Sequence, residues 1–156
     1  MSNPISEMLH IIPLALPPDA DRYNTDPTTD WIKCIGRVCF LVVEGAGGTG
    51  TAAITLNEAT NNAGGSSAAM AFNYRLLTTA GGLDTWGAWT AAAAAGVTPA
   101  AVAQKATLVE VRADELTEGK SFVSLTLTEG TDGAVDAAVI ALVAQDRQGV
   151  TPPSLL

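Results

Sequence analysis

RVCFLVVEGAGGTGTAAITLNE, residues 37–58, sets two β-type runs either side of a glycine-rich link, and its reading decides the fold. Arg37–Glu44 is rich in β-branched and aromatic residues and nearly continuous in apolar ones, the pattern of a strand buried on both faces. The second run alternates, with Ala52, Ile54 and Leu56 on one side and Thr51, Thr55 and Asn57 on the other, as a half-buried strand does. The two read as a hairpin closed by GAGGTG.

Four more runs of the same kind follow, each bounded by Gly, Asn or Asp. Residues 69–77 turn Met70, Phe72, Tyr74 and Leu76 inward against Asn73 and Arg75. Residues 107–113 turn Val109 and Val111 inward against Glu110 and Arg112. Residues 121–128 turn Val123, Leu125 and Leu127 inward against Ser124, Thr126 and Thr128, and 114–120 is a solvated turn before them. Residues 137–145 are apolar on both faces, which leaves apolar surface for something besides the sheet's own core. The expectation is all-β: an antiparallel sandwich or barrel with one short helical segment in the alanine-rich residues 91–106. There Thr98 would cap and Pro99 would start a helix that Gly96 limits to a turn or two.

Residues 1–30 differ from the body, 31–156. Pro4, Pro13, Pro17, Pro18 and Pro27 break them, and Pro13 interrupts the apolar LHIIPLAL with a residue that has no amide hydrogen for a ladder. This reads as an extended arm or edge segment followed by a polar turn. It presents Leu9, Ile11, Ile12, Leu14 and Leu16, whose burial needs a partner surface.

Composition excludes several classes. Eight Lys and Arg against sixteen Asp and Glu give a formal net charge of -8, which repels nucleic-acid phosphate. The apolar runs fall far short of the roughly 20 residues that span a bilayer, and MSNPISE is not an export signal. Cys34 and Cys39, on opposite sides of one strand region, are placed badly for a bridge and are expected to be reduced, one of them in the core.

Chemistry is scarce. GAGGTG opens a strand rather than a helix, so it lacks the phosphate-binding context. Asp19, Asp21, Asn24, Asp26 and Asp30 crowd one segment without the turn glycine and terminal Glu of a calcium loop, so no metal is expected. His10 is the only histidine, with no nucleophile or second ligand patterned beside it, and reads as packed. Glu110 and Glu129 are carboxylates that nothing in the sequence brings together. Trp86 and Trp89, an odd number of positions apart, cannot both face a core; one belongs inside and one at an interface, or on a sugar. No enzyme and no cofactor are expected.

In order along the chain, LPPDADRYNTDPTTDWI, CIGRVCFLVVEGAG, WGAWTAA, VEVRADELTEGKSFVSLTLTEG and DAAVIALVAQDRQ resemble the small head proteins encoded beside the major capsid gene of tailed bacteriophages, the capsid decoration or cement proteins. The resemblance implies a jelly-roll-like β-sandwich, made in the host cytoplasm. It implies attachment as a trimer or dimer to the major capsid protein on the exterior of an icosahedral shell. It carries over no catalytic residue. The partner-binding residues expected are Leu9, Ile11, Ile12, Leu14, Leu16, Trp86 and Trp89. The alternatives are a tail or head-tail connector component and a carbohydrate-binding module that uses the two tryptophans.

Overall fold

The computed structural model describes residues 9–15, 21–45, 49–78, 85–101 and 105–144. Ten strands run in chain order: β1 (Leu9–Ala15), β2 (Ile32–Lys33), β3 (Arg37–Glu44), β4 (Thr51–Ala59), β5 (Ala68–Met70), β6 (Phe72–Thr78), β7 (Thr90–Ala92), β8 (Lys105–Arg112), β9 (Phe122–Thr131) and β10 (Ala137–Ala144). They form a six-stranded sheet, β1-β10-β3-β8-β6-β7, packed on a four-stranded sheet, β2-β9-β4-β5, with every pairing antiparallel.

Four of these pairs are nested: β1 with β10, β2 with β9, β3 with β8 and β4 with β5. The chain is therefore one long hairpin, folded back at residues 60–67 and rolled so that alternate rungs fall in opposite sheets. That is the jelly-roll plan. The β6–β7 hairpin is an addition that widens the larger sheet beyond β8.

Alternation fills the space between the layers. Val38, Phe40, Val42, Val109, Val111, Val139, Ala141 and Val143 descend from the six-stranded sheet onto Ile32, Ile54, Leu56, Val123, Leu125 and Leu127 of the other, all of them buried. Each fully buried Val or Leu contributes about 1.5–3 kcal/mol. Once the period of 2 is set, a one-residue slip in register would turn this whole set to solvent, so the register is strongly specified.

Five expectations need correction. The run 37–58 is not a hairpin: β3 and β4 lie in different sheets. Gly50 is required there, because a Cβ would run into the Gly133 carbonyl and the Val135 side chain. Nor is β3 buried on both faces, since Val43 stays 40% exposed on its outward side. Residues 69–77 are two strands in two sheets, with the corner at Ala71.

The described residues of the alanine-rich segment are not helical. They hold β7, then a turn with Gly96 at φ +87°, and Val97 exchanges both backbone hydrogen bonds with Ile54 at 2.8 and 3.0 Å. After that bridge residues 98–101 make no helical turn, and 102–104 lie outside the described residues. The only helical turn among the described residues is the 3-10 segment Ala113–Glu115.

The boundary at residue 30 does not separate two bodies. β1 is the edge strand of the larger sheet, its ladder shifting register between Pro13 and Ala15 as an edge proline allows. Ile12 and Tyr23 belong to the common core.

Candidate functional site

The surface with the most to do is the outward face of the six-stranded sheet. Directly opposed residues point the same way, so the register lays out its rows. One row runs Pro13, Ile140, Leu41, Leu108, Arg75. A second runs Ile11, Leu142, Cys39, Glu110, Asn73, and a third holds Ala138, Val43, Ala106 and Leu77. Across β1, β10 and β3 no outward side chain in these rows carries a charge. Ile11 is 53% exposed, and Leu41, Leu108, Ile140 and Leu142 are half-buried.

At the Arg37 end of β3, and across β8 and β6 from it, the face turns polar. Arg37, Asn73, Trp89, Glu110, Arg112 and Glu115 line a shallow pocket of about 330 Å³. Arg37 Nη1 lies 3.3 Å from Glu110 Oε1, and Arg112 Nη2 lies 2.7 Å from Asp114 Oδ2. Glu115 Oε2 accepts the Arg112 backbone N–H at 2.8 Å. The guanidinium of Arg75 sits 5.1 Å from the centre of the Trp89 ring, and Arg75 Nε–H donates to the Gly87 carbonyl at 2.9 Å.

The residues expected to meet a partner are divided by this geometry. Ile11 and Trp89 are exposed, Leu9 and Trp86 are half-buried, and Leu16 lies outside the described residues. Ile12 is 4% exposed and Leu14 packs against the core, so neither is offered to another molecule. His10 is half-buried on the core-facing side of β1, opposite Val143.

Titratable groups elsewhere act mainly on one another. Glu44 and Lys105, opposed on β3 and β8 and both buried, pair at 3.2 Å, and Tyr23 donates to the same carboxylate at 2.6 Å. Burial first, and then the Glu44 charge and hydrogen bond, push the Tyr23 hydroxyl above its ordinary pKa. Glu110 and Glu129 sit on different sheets. Of the acidic segment, Asp21 stands with Glu129 and Asp132, one carboxylate oxygen of each within 4.8 Å of the others. Asp26, Asn24 and Asp30 are exposed outside that group, and Asp19 lies outside the described residues. Partial desolvation, then Asp21, Asp132 and Asp26, raise the Glu129 pKa. Cys34 and Cys39 are unbridged, the first buried and the second half-buried on the outward face.

Sequence reasoning marked β10 and Trp89 but missed the outward half of β3 and the whole polar pocket. The pocket residues come from four separated stretches, and only the β3-β8-β6 order unites them. Among the described residues no helix is long and apolar enough to cross a membrane. Comparison of the chain with protein-family models, with curated proteins and with solved structures finds no match in any of the three.

Proposed function

We propose that this protein is a structural virion component that binds the major capsid protein on the exterior of an icosahedral phage shell, as an oligomer, and stabilises the shell without catalysing a reaction. The observation that supports this is the run of uncharged outward side chains over β1, β10 and the Cys39–Val43 part of β3. A contiguous apolar patch flanked by polar residues marks a protein-binding surface, and here it lies on a chain whose net charge is -8. An acidic exterior suits a position away from packaged DNA.

The binding surface in this reading is the sheet face, not a free arm. Ile11 and Pro13 on β1 extend the rows of Ile140, Leu142 and Leu41, so the edge strand widens the patch. Several modest contacts made together by one oligomer clamp neighbouring capsid subunits, because the second contact is intramolecular once the first has formed.

The test mixes purified protein with undecorated shells and follows co-sedimentation and shell melting. The wild-type protein binds at fixed stoichiometry and raises the shell's melting temperature. The triple variant Leu41→Thr/Leu108→Thr/Ile140→Thr replaces one half-buried row by residues that suit a wet strand, at about 1 kcal/mol of stability per site. It stays folded and loses at least tenfold in shell affinity. Wild-type protein that ignores shells, or a triple variant that binds them equally well, defeats the reading.

A further inference from the structure

The Trp89 pocket differs in chemistry from the apolar patch beside it and spreads from Arg37 on β3 across β8 and β6, away from β10. We propose that it is a binding site for an uncharged sugar ring.

The polar wall breaks a local rule. Arg37 and Arg112 stand directly opposite each other on β3 and β8, where like charges repel. Each is held by its own carboxylate, Glu110 for Arg37 and Asp114 for Arg112. The lining therefore counts two guanidinium groups against two carboxylates, Glu110 and Glu115, with the Asn73 amide between strands. Such a wall offers donors and acceptors in fixed positions but no net charge, so it attracts neither an anion nor a cation. A neutral polyol, whose hydroxyls donate and accept, fits it.

The other wall is aromatic. Trp89 is 45% exposed and yet held, with Arg75 over its ring and Arg75 itself tied to the Gly87 carbonyl. An indole kept in place without being buried is a flat apolar platform for the C–H face of a pyranose. Aromatic surface with a few converging polar groups is the make-up of a small-molecule site, and about 330 Å³ lies at the lower end of the roughly 300–1,000 Å³ such sites occupy. That volume suits one or two rings. Because the polar groups are already paired with one another, little ordering is left to do on binding.

This assignment does not rest on the shell-binding reading, since the pocket shares β3 and β8 with the apolar patch but is lined by none of its apolar side chains. The experiment is saturation-transfer NMR and titration calorimetry on the full chain. The panel is neutral hexoses, N-acetylhexosamines and their short oligomers, with glucuronic and sialic acids as the charged arm. At least one neutral saccharide binds. Trp89→Ala weakens it at least tenfold with an unchanged circular dichroism spectrum, and Glu110→Gln, which keeps the side-chain shape, weakens it severalfold. Ile140→Lys in the apolar patch leaves it unaltered. The proposal is overturned if no neutral saccharide binds, if only the acidic sugars do, or if Trp89→Ala and Glu110→Gln both bind as the wild type does.

Discussion

The two sheets turn matching faces to one core and opposite chemistries to the outside. On the six-stranded sheet the outward rows are Pro13, Ile140, Leu41 and Leu108, then Ile11, Leu142 and Cys39. On the four-stranded sheet they are Thr55 against Thr126, Asn57 against Ser124 and Ala53 against Thr128. Threonine and valine are nearly the same shape and serve a strand equally well, so the fold does not demand the difference. Part of the hydroxyl face satisfies itself: Asn57 donates to Thr126 Oγ1 at 3.0 Å and Thr28 Oγ1 lies 3.1 Å from the same oxygen, whereas the buried Ser124 hydroxyl has no partner among the described residues. The aliphatic face has no such internal answer. Inner faces specify the sandwich, and outer faces specify its company.

The strongest way to break this comparison is to remove the edge that widens the apolar face. Deleting residues 1–15 takes Ile12 out of the core and uncovers one side of β10. Truncating one buried Ile costs about 2–5 kcal/mol, and loss of the strand costs more, a large part of the 5–15 kcal/mol that holds a domain together. Urea denaturation shows a chain that is no longer cooperatively folded, or one with a much lower midpoint. The corresponding insult to the edge of the other sheet, Ala68→Ser with Ala69→Ser on exposed β5, moves stability by less than about 0.5 kcal/mol. Equal midpoints for the truncated and full chains would show that β1 is an accessory.

A smaller effect sharpens the hydroxyl side. Thr126→Val removes the acceptor for Asn57 and costs about 0.5–1.5 kcal/mol by thermal melting. Thr128→Val, exposed on the same strand, stays within about 0.5 kcal/mol. If the two cost the same, the hydroxyls act singly and not as a row.

The mildest probe uses the cysteines, one on the outward apolar face and one inside. Burial, and then the charge of Glu115 on Cys34 and of Glu110 on Cys39, raise both thiols from 9.0 to about 11. The fold favours the protonated thiol, so this contribution to stability is complete below pH 9 and is lost as the pH rises through about 11. Iodoacetamide labelling followed by mass is slow at pH 8 and climbs about tenfold per pH unit toward pH 11. If the protein binds shells through this face as proposed, binding protects half-buried Cys39 and leaves Cys34 as it was. A labelling rate that levels off by pH 9 would show thiols solvated like those of a peptide.

Alternation was readable wherever one face met the core. Val109 and Val111 against Glu110 and Arg112, and Val123, Leu125 and Leu127 against Ser124, Thr126 and Thr128, fall as their spacing demands. Alternation says nothing of which strand lies beside which. β3 and β4 read as a hairpin because neighbours in sequence commonly pair, whereas the ladders that place them, β3 with β8 and β4 with β9, join residues far apart in the chain, such as Glu44 with Lys105 and Ala59 with Phe122. The corner at Ala71 is silent because Met70 and Phe72 keep the period of 2 on both sides of it. The alanines of 91–95 are indifferent, and the Ile54–Val97 hydrogen bonds decide against a helix. Of the site, Trp89 and the doubly apolar β10 could be seen in advance. The Arg37–Arg112 opposition could not, because it exists only in register.

Leu9 and Ala144 face each other at the same end of two neighbouring antiparallel strands. Tension applied between those two residues would load the β1–β10 ladder from one end, parting one pair of hydrogen bonds at a time, as a zipper opens. The same load entering through a sheet face would be shared by whole strands at once. A molecule rolled up in this way is mechanically weak along its chain and strong across its body, so a tether fixed near residue 9 or 144 would peel it open well before a grip on either face did.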